Sequence, residues 1–154
     1  MGISWLSLGN ETEGLAAFER AVRIDPRSAE AHLQIGKIFQ GKGDLERALR
    51  SYRQAAGVQP RFLPVRVAIA DLFMEQEKFL EAIVSYRKVL ELSPQNATAQ
   101  YQLGLALKGR GRNQEAIAAI QKARDLYRQQ GQIQDAKDAE ATLRDLQNVN
   151  DPKN

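Results

Sequence analysis

The chain offers little to catalysis. It has one histidine, His32, no cysteine, and carboxylates that come in ones and twos. A zinc site needs three or four nitrogen, sulfur or oxygen ligands, and a hydrolytic triad needs a nucleophile, a base and an orienting acid brought together. One imidazole among scattered carboxylates supplies neither. The closest acidic pairs are Glu75 with Glu77 and Asp135 with Asp138. Both sit in polar stretches with nothing beside them to shift a carboxyl pKa, as acid–base work would require. Gly41-Lys-Gly43 and Gly109-Arg-Gly111 are the only glycine pairs that suggest a phosphate loop. A phosphate loop follows a strand and continues into a longer motif, whereas each of these follows a helical pattern and stops. The expectation is therefore no enzyme, no cofactor and no metal. Asn10-Glu-Thr12 and Asn96-Ala-Thr98 match the glycosylation sequon but act only as polar capping residues without a secretory signal.

Charge points the same way. Lys and Arg number 22 against 19 Asp and Glu, so the net charge is only +3. Arg20, Arg23, Arg27, Arg47, Arg50 and Arg53 are interleaved with Glu19 and Glu46, and the aromatics do not alternate with them. Single-stranded nucleic acid is held by basic residues together with stacking rings. Binding of nucleic acid or an acidic surface through these arginines is thus the weaker alternative. No apolar run is long enough to span a bilayer, and the N-terminus lacks the basic region of a secretion signal. A cytoplasmic location is expected unless residues upstream of Met1 carry a signal or an anchor.

The elements that must position any site come from an internal repeat. Pro26, Pro60 and Pro94 recur at an interval of 34 residues. The intervening positions keep register: small residues at Gly2, Gly36, Ala70 and Gly104, and large apolar ones at Trp5, Phe39, Phe73 and Leu107. Gly14, Ala48, Ala82 and Ala116 follow, then Phe18, Tyr52, Tyr86 and Ile120, then Ala21, Ala55, Val89 and Ala123. Leu45, Ala48, Leu49, Tyr52 and Ala55 recur at three and four, the period of one helix face. Each unit is thus two helices. Gly9, Gly43 and Gly111 stand where the first helix ends, and Glu77 takes that slot in the third unit. The proline stops the second helix, Ser28 and Asn96 are placed as N-caps, and Pro64 falls in a first helical turn.

Leu33 to Phe39 with Gly36, Ala48, Tyr52, Ala55 and Pro60, and their equivalents one repeat away, resemble the tetratricopeptide repeat family. The resemblance covers about residues 1–128. It implies an all-α fold of antiparallel helix pairs stacked into a right-handed superhelical solenoid. His32 departs from it, standing where the family often has tryptophan, and Arg66 and Gln100 fill the same slot further on. The family lines its concave groove with the first helix of each pair. Carried onto this chain, that implies a partner-binding groove of Leu33, Gln34, Lys37 and Gln40, then Val67, Asp71 and Met74, then Tyr101, Gln102, Leu105 and Lys108. Apolar anchors mixed with amides and charges of both signs suit a peptide segment or a partner helix. The lysine and asparagine clamp of the chaperone-binding members is replaced by Gln34, Ala68 and Gln102, which argues against a chaperone tail as ligand. The implied function is a non-catalytic protein–protein interaction scaffold, an adaptor or assembly factor.

One domain over 1–148 is expected. It divides into a partial repeat 1–28, repeats 29–62, 63–96 and 97–130, and a capping helix 132–148, with a polar tail 149–154. Met1 enters partway through a first helix, which suggests a fragment of a longer protein or an abbreviated helix. Ile3, Trp5, Leu6 and Leu8 would then form an apolar end-face on which further repeats or a second copy could stack, the structural alternative to groove binding. At the other end, Gly131 breaks the helix, and Ile133, Ala136, Ala139, Leu143 and Leu146 make one apolar stripe for the cap. The ending from Ala123 to Gly131 loosely resembles those of bacterial, especially cyanobacterial, repeat proteins.

Overall fold

A computed structural model describes residues 5–150, with side chains described over 12–148. The described residues form eight α-helices and no strand: α1 Trp5–Ile24, α2 Ala29–Gly41, α3 Leu45–Val58, α4 Leu63–Glu75, α5 Phe79–Leu92, α6 Ala97–Gly109, α7 Asn113–Gln129 and α8 Ile133–Asn150. They group into two compact units, residues 1–72 and 73–154, so the divide falls inside α4.

Local chemistry sets the helix ends. Ser28 Oγ accepts from the Ala31 N–H at 3.2 Å and Asn96 Oδ1 from the Ala99 N–H at 2.9 Å, each satisfying a donor that the first turn leaves open. Asp44 caps α3 in the same way, and the Arg47 N–H donating to it holds its carboxyl below the ordinary carboxylate range. Gly43, Gly111 and Gly131 close the preceding helices at φ 76°, 72° and 74°. Glu77 does the same at φ 54°, the only non-glycine in that region among the described residues.

In the first unit α2 and α3 pack closely. A Cβ on Gly36 would lie 2.3 Å from Cε1 of Tyr52, so the bare glycine is what admits the ring. Tyr52 is fully buried, and its hydroxyl donates to Gln40 Oε1 at 2.7 Å. Ala29, Leu33, Ala48, Ala55, Val65 and Leu72 complete this core, with Phe39 and Leu49 packed on its edge. In the second unit the same device joins α6 and α7, where a Cβ on Gly104 would lie 2.3 Å from Cγ1 of Ile120. Gly109 at the end of α6 leaves room for the Phe79 ring of α5. The capping helix is present as α8, packed on α7 with Ala136, Ala139, Leu143 and Leu146 buried.

Three expectations change. The break at Gly9 is absent, because α1 runs through it without interruption. Glycine permits a positive φ without requiring one, and no described helix precedes α1 to fold back against, so the backbone keeps its own i→i−4 bonds. Ile133 leaves the buried stripe: it is 58% exposed at the first position of α8, beside the turn. Finally, the expected end-face of Ile3, Trp5, Leu6 and Leu8, and the end of the tail, lie outside the described side chains.

Two stability results follow. Glu77→Gly should stabilise the protein by about 0.5–1 kcal/mol, since a side chain in the left-handed region costs more than glycine's added freedom when unfolded; urea unfolding checks it. Gly36→Ala and Gly104→Ala should each destabilise by about 1–3 kcal/mol, because Tyr52 or Ile120 must leave its rotamer to admit the methyl group; thermal melts read the loss.

Candidate interaction surfaces

The side chains expected to line a binding face separate into three groups. Lys37 and Lys108 are exposed, as is Asp71. Gln34, Val67, Met74, Gln102 and Leu105 are partly exposed. The third group is engaged inside the fold. Leu33 is 2% exposed and belongs to the core with Val65 and Leu72, so it is no contact residue. The reason is helix phase: it lies one turn after Ala29 on the side of α2 that meets the next repeat.

Gln40 is committed in part. Its Oε1 accepts the Tyr52 hydroxyl, since a buried phenol needs a partner. Tyr101 is committed more fully. Its ring meets Tyr127 edge-on at 6.4 Å between centroids, and its hydroxyl bonds Thr142 of α8 at 2.9 Å. Tyr127 in turn donates to Thr98 at 3.4 Å, and burial raises its phenol above the ordinary value, so it remains a neutral donor. Tyr101 thus fastens the cap and is not an open anchor.

Two participants are absent from the sequence expectation. Glu30 is exposed one turn before Gln34 and accepts from its amide, a pair that the i, i+4 spacing could have signalled. Thr142 was assigned only to the cap; its role depends on α8 reaching Tyr101, which no local pattern encodes. What remains available is, in the first unit, Glu30, Gln34 and Lys37 on α2 with Val67 and Asp71 on α4. In the second unit it is Gln102, Leu105 and Lys108 on α6.

The arginines are largely tied to neighbours. Arg47 pairs with Asp44 at 2.5 Å and lies over the Phe39 ring at 4.8 Å. Arg112 reaches Glu115 at 2.6 Å, Arg124 reaches Asp125 at 2.7 Å, and Arg128 pairs with Glu140 on α8. His32 is a packing residue, 7% exposed, with Nε2 donating to the Pro26 carbonyl at 3.1 Å. Arg66 makes the corresponding bond to Pro60 at 2.7 Å. No group of three or more metal-ligating side chains occurs among the described residues, and no described helix is long and apolar enough to cross a membrane.

Family models described as tetratricopeptide repeat match residues 2–61 and 97–129, and one described as TPR repeat matches 70–111. The chain is a tetratricopeptide repeat protein. Its fold agrees with solved structures at low identity. "MamA 41-end from Desulfovibrio magneticus RS-1" superposes with a TM-score of 0.73 at 21% identity, over 95% of this chain and 90% of that one. The "Arabidopsis OM64 TPR domain" gives 0.67 at 24% identity, over 77% of this chain and 95% of that one. No curated protein matches the sequence. The all-α repeat fold is thereby established, and with it the general character of the family, which is that of non-catalytic protein–protein interaction scaffolds.

Removing the Tyr101 hydroxyl tests the cap. Tyr101→Phe should cost about 1 kcal/mol, the net worth of one partly buried hydrogen bond. Hydrogen exchange should rise over α8 more than over α2 and α3.

Proposed function

We propose that this tetratricopeptide repeat protein is an adaptor or assembly factor that binds a peptide segment or a partner helix through the first-helix faces of its repeats. One observation carries the reading. At the same repeat register, α2 and α6 each present an exposed or end-of-helix lysine beside partly exposed amides and apolar groups: Gln34 with Lys37, and Gln102 with Leu105 and Lys108. Val67 and Asp71 on α4 add an apolar contact and a negative charge in the first unit, and Met74 adds an adaptable thioether in the second.

Each kind of side chain has a part to play. Amides can both donate to and accept from a partner's backbone. Leu105 and Val67 supply apolar area, while the lysines favour acidic residues and discriminate among partners by charge. The faces belong to helices that neighbouring helices hold, so little ordering entropy is lost on binding.

Selection of peptides from a display library made from the source proteome tests this. Lys37→Glu and Lys108→Glu should each weaken a selected peptide by about tenfold, ~1.4 kcal/mol, with the melting temperature unchanged. Arg50→Glu, exposed on α3, should leave the affinity as it was. If Arg50→Glu weakens binding as much as Lys37→Glu does, the second-helix side is the binding face and the proposal fails.

A further inference from the structure

The slot that His32 occupies is large. Two adjoining openings of about 460 Å³ and 380 Å³ meet at His32, Val22 and Gln54, between the end of α1 and α3. Val22 and Val58 give the crevice an apolar wall, and Arg23 and Arg27 stand at its mouth. Neither arginine side chain forms an ion pair among the described residues.

The imidazole sets the chemistry. A carbonyl oxygen can only accept, so the bond to Pro26 fixes the proton on Nε2. The structural duty of the slot is met by that one atom, as Arg66 shows by donating to Pro60 in the next repeat. The other ring nitrogen, Nδ1, has no hydrogen-bond partner among the described residues, although the side chain is more than nine-tenths buried and lines both openings. A buried polar atom without a partner is costly, and here it borders a cavity with two unpaired guanidinium groups at the rim.

We propose that the crevice around His32 is a second binding site, apart from the first-helix faces, that takes the carboxylate of an acidic peptide side chain. Charge complementarity selects this occupant. The charged groups facing the crevice are Glu19 and Arg23 on α1 and Arg27 on the following turn, while α3 contributes only the uncharged Gln54, Gly57 and Val58. The balance is positive even with a neutral imidazole. As the carboxylate enters, the imidazole takes up a proton from solvent at Nδ1 and donates it as a hydrogen bond, while Nε2 keeps its bond to Pro26. Ligand binding is then coupled to proton uptake, so affinity falls as pH rises. The arginine contribution is screened by salt.

Because His32 is the only histidine, its ring resonances are assigned without ambiguity. The test is an NMR titration of the whole chain at roughly pH 6 and pH 8. The probes are a blocked Ala-Glu-Ala peptide, its Ala-Gln-Ala counterpart, and sodium acetate. The Glu peptide should shift the His32 ring nitrogens and the Val22 and Val58 amides, more strongly at the lower pH, and the Gln peptide should not. Arg23→Ala with Arg27→Ala, both exposed, should weaken the Glu peptide by about tenfold with the fold intact. His32→Gln, which keeps a donor for Pro26 as a glutamine in the same slot can, should abolish the pH dependence. Equal shifts from the Glu and Gln peptides, no shift at millimolar peptide, or a pH dependence that survives His32→Gln would each overturn the proposal. Acetate acting as strongly as the Glu peptide would assign the crevice to free carboxylates and overturn the peptide reading. Lys37→Glu should leave this titration unchanged, which separates it from binding at the first-helix faces.

Discussion

Everything in each unit depends on how closely two helices can approach. At Gly36 and Gly104 the missing Cβ is replaced by the body of a large side chain from the partner helix, Tyr52 in one unit and Ile120 in the other. A methyl group at either place would overlap atoms that are themselves fully buried. This contact fixes the separation of the pair, and with it which faces of α2 and α6 turn inward. Close packing of this kind has few alternatives, because interiors are as dense as organic crystals and do not absorb an extra carbon cheaply. The exposed residues are therefore defined by subtraction: a side chain can serve a partner only if the pairing has not claimed it.

Tyrosine makes the same point in polar terms. Tyr52 fills the space that Gly36 leaves, but its hydroxyl must then be satisfied, and Gln40 is drawn in to do it. Tyr101 and Tyr127 form a second such arrangement, in which Thr98 and Thr142 supply the hydroxyl partners and α8 is fastened to α6. Isoleucine at position 120 needs no partner, so the contact between α6 and α7 draws in no polar group. Where an aromatic phenol is used for packing, a neighbouring polar side chain is lost to recognition.

These relations explain what was legible in the sequence. The repeat interval, the small and large slots, the proline stops and the caps at Ser28 and Asn96 are local or strictly periodic, and each stands where its spacing places it. The positive φ at Gly43 and Gly111 was readable for the same reason, as was the substitution of Glu77 into that slot. The site was less legible. Leu33 and Lys37 both lie on α2, yet Leu33 meets Val65 and Leu72 of the next repeat and Lys37 meets solvent. That difference is set by packing between repeats, which a one-helix pattern does not contain. Gln40 and Tyr101 were misjudged because their partners lie twelve and forty-one residues away. Gly9 illustrates the opposite error, in which a residue able to end a helix is found inside one because nothing described folds back upon it.

The slot shared by His32, Arg66 and Gln100 shows how a repeat can keep its fold and still differ from copy to copy. What packing asks of the slot, in the two places where the bond is seen, is one N–H directed at the carbonyl of the preceding proline. Histidine and arginine both provide it, so the rest of the side chain is not fixed by that duty. Arginine spends its excess as an exposed charge, whereas histidine leaves a nitrogen of either protonation state facing a crevice. Variation that costs the fold little can thus carry a change in chemistry, and it does so away from the faces usually searched for binding. In a repeat protein the informative residue is accordingly one that meets the structural demand of its slot with part of its atoms and has others left over.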